Sequence, residues 1–273
     1  MAVVGLLFNM SNGLDPLYND PQHQRDNYKA LAERLEQEAT AEDAIILDAP
    51  NQSQVFLYYY DGEAPVYLLP ASGDYDQARQ ETEQIIEDYR RIYVLFYGQA
   101  EQDPLNVVES ELIEGAYQVS DEWVGSVRFV RYTTPDELNA PQPVNVRFGE
   151  HITLERIAYN SDELRAGDVL QIQLNWQTDA VLEARYKVFL HLVNSEGQLV
   201  AQRDSEPGGG SAITPTWQPQ QTVVDNHALV LPVDLPAGEY TLLVGLYDLS
   251  NPAARLTLED GADALQLLTI RIQ

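Results

Sequence analysis

The residues of this chain that could do chemistry are scattered. His23, His151, His191 and His227 stand far apart, and none falls at a metal-binding spacing such as HExxH. His191 alternates with Lys187, Phe189 and Val193 along one strand face, which reads as a surface or edge histidine rather than a ligand. No GxSxG elbow, P-loop or GxGxxG occurs. The three glycines of "EPGGGSAITPTW" lack the strand-then-helix context of a phosphate cradle, so they read as a sandwich loop. There is no cysteine, which excludes disulfides, thiolate zinc sites and thiol catalysis. Oxygen donors gather in "LYDLSNP" and "LEDGAD". Asp248, Asn251 and Asp260, with Glu259 and Asp263 nearby, are candidate calcium ligands, set against plain turn chemistry. No other cofactor is implied.

The "DYD" of Asp74–Asp76 matches the DxD that holds a metal–diphosphate in nucleotide-sugar transferases. The first Asp also precedes a good helix, where an N-cap is the simpler reading. Binding is easier to place than catalysis. In parallel sheets, ligands sit outside the carboxyl ends of the strands. Those ends are "DAPNQ", "PASGD" and "YGQAEQD", which supply Asn51, Gln52, Ser72, Tyr97 and Gln99 as ligand-binding candidates. They offer amides, hydroxyls and helix N-termini but no nucleophile–base pair. Trp217, in the Pro-rich "TPTWQPQQTVVD", is a further candidate: a loop Trp can stack on a sugar ring or close the end of a sandwich.

Two kinds of framework must position these residues. Residues 1–135 alternate helix and strand. Tyr28, Leu31 and Leu35 have helical spacing, and "DYDQARQETEQIIEDYRR" is amphipathic. Asn51 and Asp103 are placed to cap two more helices. "DAIILDAP", "APVYLLP" and "IYVLFYG" are continuous apolar strands, and "YQVSDEWVGSVRFVRYTT" is a hairpin around Gly125-Ser126. The expectation is an N-terminal three-layer α/β domain with a mostly parallel sheet. Residues 136–146 are rich in Pro and Asn and read as a linker. From 147 to 273 the period becomes two, with about eight short strands, which predicts an immunoglobulin-like β-sandwich. In "DLPAGEYTLLVGLYD", Tyr240 sits where a tyrosine corner would cap upstream backbone. The strand that follows is apolar on both faces, so Leu243 and Tyr247 need a partner. The α/β domain is the simplest, with a membrane domain or a glycan as rivals.

The formal net charge is −27, shared by both halves, and it excludes nucleic acid as a partner. It equally disfavours adhesion to anionic lipid through a basic patch. "MAVVGLLFNM" is apolar but shorter than the roughly 20 residues that span a bilayer. It reads as a core strand or as the last turns of a membrane helix.

The phrases "LYNDPQHQRDNYKALAERLE", "DAIILDAPNQSQVFLYYYDGEAPVYLLP", "YRRIYVLFYGQAEQDP" and "VRFVRY" resemble the tail of bacterial membrane glycosyltransferases. The group is that of the dolichyl-phosphate-mannose–protein mannosyltransferase-like (GT-C) enzymes. "VFLHLVNSEGQLVAQRDSEP", "PTWQPQQTVVDNHALVLP" and "LPAGEYTLLVGLYD" resemble the module that ends many such chains. The resemblance implies a many-helix membrane domain upstream in the same chain and an extracytoplasmic, membrane-anchored location. It also implies transfer of sugar from a polyprenyl-phosphate donor. The family's catalytic acid lies in that membrane domain and has no counterpart here. The region is therefore expected to be non-catalytic, assisting recognition of an acceptor or glycan for an enzyme that is a glycosyltransferase as a whole. Two other readings stand: a free-standing secreted carbohydrate-binding protein, and a soluble enzyme using nucleotide-sugar.

Overall fold

The computed structural model describes residues 28–48, 50–71, 74–98, 101 and 103–273. The chain divides into two compact units. The first holds the described residues up to Val108 together with Ser120–Arg131; the second holds Glu109–Val119 and Tyr132–Gln273.

In the first unit, α1 (Tyr28–Glu38) buries Tyr28, Leu31, Ala32 and Leu35, the stripe its spacing dictates. β1 (Asp43–Asp48) is buried along its whole length. It pairs in parallel with β2 (Val66–Leu68) and β3 (Arg91–Phe96). Helices α2 (Ser53–Tyr59) and α3 (Tyr75–Asp88) make the connections. Asp74 caps α3, its carboxylate accepting from the Gln77 amide at 3.1 Å. Arg91 grips Asp43 through two N–H donors at 2.8 and 2.7 Å, fixing the start of β1 against β3. Ile45, Leu47, Phe56, Leu95 and Phe129 form the core.

This corrects the expected three-layer α/β domain with a mostly parallel sheet. The sheet runs β2-β1-β3-β5-β4, so three strands are parallel and the other two are β4 (Tyr117–Val124) and β5 (Val127–Thr133). Those two are joined only by Gly125 and Ser126, and a link so short can only return the chain antiparallel. β2 is three half-buried residues at the sheet edge rather than a buried strand. Among the described residues there are four α-helices against fifteen strands, and the architecture is mostly β. Two helix starts also move. Pro50–Gln52 form a short 3-10 turn, and Gln52 rather than Asn51 stands at the head of α2. α4 (Val107–Gly115) begins three residues beyond Pro104, because Asn106 takes a positive φ of 52°. The Asp103 carboxylate still accepts from the Val108 amide at 3.0 Å.

The second unit is a β-sandwich of ten strands. One sheet has the order β12 (Val223–Val230), β9 (Val169–Thr178), β7 (Ile152–Tyr159), β6 (Gln142–Phe148). The other has the order β11 (Leu199–Ser205), β10 (Tyr186–Val193), β13 (Gly238–Asp248), β15 (Leu265–Ile272), β8 (Glu163–Leu164), with β14 (Asn251–Arg255) also on β13. All pairs are antiparallel except β8 on β15. Alternate residues of both sheets meet in one core that includes Phe148, Leu174, Trp176, Leu190, Val244 and Ile270. β6 takes up residues 142–146 of the expected linker. The residues before it are also tied down: the Asp136 amide donates to Gln171 Oε1 at 2.8 Å and the Asn139 amide to Tyr159 O at 2.9 Å. The Tyr240 hydroxyl donates to Pro236 O at 2.9 Å, the corner its sequence setting called for.

The second face of β13 is furnished from within this unit. Gly245 sits opposite Phe189. A Cβ there would lie 2.3 Å from Phe189 Cζ and 2.9 Å from the Asp263 carbonyl oxygen. Glycine therefore lets the Phe189 ring and the Asp263 backbone close over the strand. Arg255 lies over that ring at 4.6 Å, His191 packs against it at 4.6 Å and Tyr247 at 6.4 Å. Leu243, opposite His191, and Tyr247 are half-buried as a result.

Candidate functional site: a polar cavity on the sandwich

Within the second unit, a cavity of about 260 Å³ opens beside β12. Three pieces of chain form its walls. Ile113, Glu114, Ala116 and Gln118 come from the end of α4 and the start of β4. Gly208, Gly209 and Ser211 come from the turn between β11 and β12, and Val224 and Asn226 from the outward face of β12.

Each wall has a local cause. Gly208, Gly209 and Gly210 all take positive φ, at 61°, 64° and 99°, which glycine adopts without the strain a side chain brings. A Cβ on Gly209 would stand 3.1 Å from Gln118 Oε1, so the absence of a side chain there keeps the cavity open. Gln118 is held in place by Arg203, whose Nη2 donates to its Oε1 at 2.8 Å.

The glycine turn is anchored from inside the sandwich. Asp225 and His227 share the inward face of β12 and are fully buried. The Asp225 carboxylate accepts from the Gly208 amide at 2.9 Å and from Trp176 Nε1 at 3.1 Å, and lies 2.7 Å from His227 Nε2. His227 Nδ1 lies 3.5 Å from Ser205 Oγ. The Ser–His–Asp order is that of a hydrolytic triad, but the imidazole is sealed from solvent and no substrate atom can reach between it and the serine. Its role is structural: a buried carboxylate with three neighbouring donors tying β9, β12 and the turn together.

Outside the cavity, β9 extends the polar surface. Leu170, Ile172, Leu174 and Trp176 point into the core, which turns Gln171, Gln173, Asn175 and Gln177 outward. Gln173 Nε2 donates to Asn226 Oδ1 at 3.1 Å, joining this row of amides to the cavity. Gln171 is covered by the residues after β5, accepting from the Asp136 amide and donating to Thr134 O at 2.9 Å. Gln177 reaches Gln220 O at 3.4 Å.

None of the described residues picked from the sequence is among those lining this cavity. Asn51 is exposed and Gln52 half-buried in the turn before α2. Tyr97 packs edge-on to Tyr28 with ring centroids 6.5 Å apart and lies half-buried against the first unit's core. Ser72 and Gln99 lie outside the described residues. Trp217 is buried in the sandwich core with Nε1 donating to Ala212 O at 2.7 Å, so it closes the sandwich end and offers no face for stacking. Asp248 accepts from the Ser250 amide and hydroxyl at 2.7 and 2.6 Å, and Asp260 from the Ala262 amide at 3.0 Å; both organise turns. Asn251 opens β14 and is exposed. Among the described residues, no group of three or more His, Asp or Glu could hold a metal ion. The signal the sequence did hold was "VVDNHALV", where two polar residues fall on the inward beat of an apolar strand.

The sequence matches no protein-family model and no curated protein. Solved structures give distant likenesses. The C-terminal domain of Wzt is 14% identical over 51% of this chain and 80% of its own, with a TM-score of 0.29. A Niemann-Pick type C2 protein from Japanese carpenter ant is 6% identical over 50% of this chain and all of its own, with a TM-score of 0.33. A Bacteroides uniformis β-glucuronidase is 12% identical over 49% of this chain and 15% of its own, with a TM-score of 0.28. Among the described residues, no helix is long and apolar enough to cross a membrane.

Proposed function

We propose that this chain is a non-catalytic recognition region that binds a glycan or sugar acceptor, serving a membrane glycosyltransferase that uses a polyprenyl-phosphate-linked sugar. The observation that carries the binding reading is the cavity beside β12. It brings two side-chain amides, a hydroxyl and a carboxylate together with small apolar patches, and no nucleophile–base pair is among its lining residues. Such a set forms hydrogen bonds with a polyol and cannot by itself break a glycosidic bond, which takes two suitably spaced carboxyl groups. The glycosyltransferase context rests on the resemblance of the sequence, and it places the chemistry elsewhere in a longer polypeptide. The test is to pass oligosaccharides over the immobilised chain and, separately, to incubate the chain with activated sugars. Retention of a glycan without turnover is expected. Turnover abolished by one carboxylate substitution, or no retention of any glycan, would overturn the reading.

A further inference from the structure

We infer that the cavity beside β12 takes an uncharged sugar unit and rejects phosphorylated or carboxylated ones, with the amide row of β9 extending the site along a neutral glycan. The inference rests on the glycan-binding reading and goes further by fixing the charge class of the ligand. Three observations carry it. First, among the described residues the lining contains no Lys, Arg or His, and its one charged member, Glu114, is an exposed carboxylate on the cavity wall. A ligand phosphate would approach that charge against the field of a chain with formal net charge −27. Second, two groups that could have served an anion are turned to other partners. The Gly208 amide donates inward to Asp225, so the glycine turn does not point it at the cavity. Arg203 Nη2 is donated to Gln118 Oε1. Third, the two side chains that continue from the cavity, Gln173 and Asn175, are neutral in a chain dense with carboxylates, and the cation nearest them along the sheet, Arg156, stands beyond Asn175. Gln173 and Asn175 stand in register with Asn226 and Val224, and side-chain amides offer both donors and acceptors to hydroxyls.

The size is consistent with a single ring. At about 260 Å³ the cavity lies below the ~300–1,000 Å³ typical of drug-sized ligand sites. Val224, half exposed, with Ile113 and Ala116, gives the C–H edges of a sugar, or the methyl of an acylamino group, an apolar contact.

The chain is titrated, by chemical-shift perturbation or calorimetry, with two uncharged probes, chitotriose and maltotriose, and two anionic ones, trigalacturonate and glucose 1-phosphate. At least one uncharged probe is expected to bind at least about tenfold more tightly than either anion, a difference well resolved by titration. Glu114→Gln is expected to narrow that gap. Asn226→Ala and Val224→Trp are expected to weaken neutral-sugar binding at least about fivefold. Val224→Trp fills the cavity from a half-exposed strand position that suits an aromatic residue, so circular dichroism and melting should match the parent. Equal or tighter binding of an anionic probe, or neutral-sugar binding unmoved by both variants, overturns this inference while leaving glycan recognition in place. No binding of any probe, with no glycan retained in the wider screen, overturns both.

Discussion

Tyr240 donates its hydroxyl to the Pro236 carbonyl from a position that is almost fully buried. The bond closes the corner that leads into β13, the strand flanked by β10 and β15 at the centre of the larger sheet. Removing the hydroxyl leaves a carbonyl short of a partner without opening a large cavity. Tyr240→Phe should therefore lower unfolding free energy by about 1–2 kcal/mol, the scale of a lost hydrogen bond in a largely buried setting. Denaturant titration with an unchanged slope checks it; an unshifted midpoint would mean that solvent replaces the bond.

Asp225 acts on whole elements, since it holds β9 through Trp176, β12 through His227 and the glycine turn through Gly208. Asp225→Ala strands those buried donors, and leaving a buried donor unsatisfied typically costs about 1–3 kcal/mol. The Gly208 amide should also lose its protection in hydrogen exchange while amides of β10 and β13 keep theirs. Uniform loss of protection would show that the network supports the whole sandwich and not the turn in particular. The elements themselves were largely legible. Continuous apolar runs mark β1 and β3, helical spacing marks α1, and period-two alternation marks β7, β9 to β13 and β15, whereas the two-residue β8 and the exposed β14 carry no such signal. What misled was letting the strand–helix alternation of β1 to β3 stand for the whole sheet, when the β4–β5 hairpin, itself legible, completes that sheet beside β3. Alternation of strand and helix is a local signal, whereas the pairing of β4 and β5 beside β3 is set by a two-residue turn and long-range packing. The cavity was illegible for a related reason. Its walls come from α4, β4, the turn after β11 and β12, brought together by tertiary structure. The glycine triplet looks like a plain loop in the sequence because its anchor, Asp225, lies 17 positions from Gly208 and reaches it only through the fold.

At the scale of the whole molecule, 43 acidic residues against 16 basic ones set two opposing responses to pH. Self-repulsion among the excess carboxylates strains the compact state near neutrality. Specific pairs pull the other way. Asp179 is held below its usual range by hydrogen bonds from Arg147 and His151. Asp248 is held down by the Ser250 hydroxyl and amide. For Asp204, burial opposes ionisation, but the hydrogen bond and charge of His191, with Tyr247 and Lys187, outweigh it and hold the carboxyl below its usual range. A carboxyl whose folded pKa is depressed binds its proton more readily when unfolded. Its contribution is thus complete above the unfolded value, roughly 3.9, and is lost as pH falls through the lower folded value. Melting temperature should accordingly hold or rise as pH drops from neutrality towards about 5, where repulsion eases, and fall steeply below about 4, where these pairs protonate. Added salt should raise the melting temperature at pH 7, because exposed like charges are screened over ~8–10 Å. Asp204→Asn should flatten the acid limb, since an amide has no proton to gain there. An acid limb as steep in that variant as in the parent would assign the transition to other carboxylates and leave the Phe189–His191–Asp204 face without a part in it.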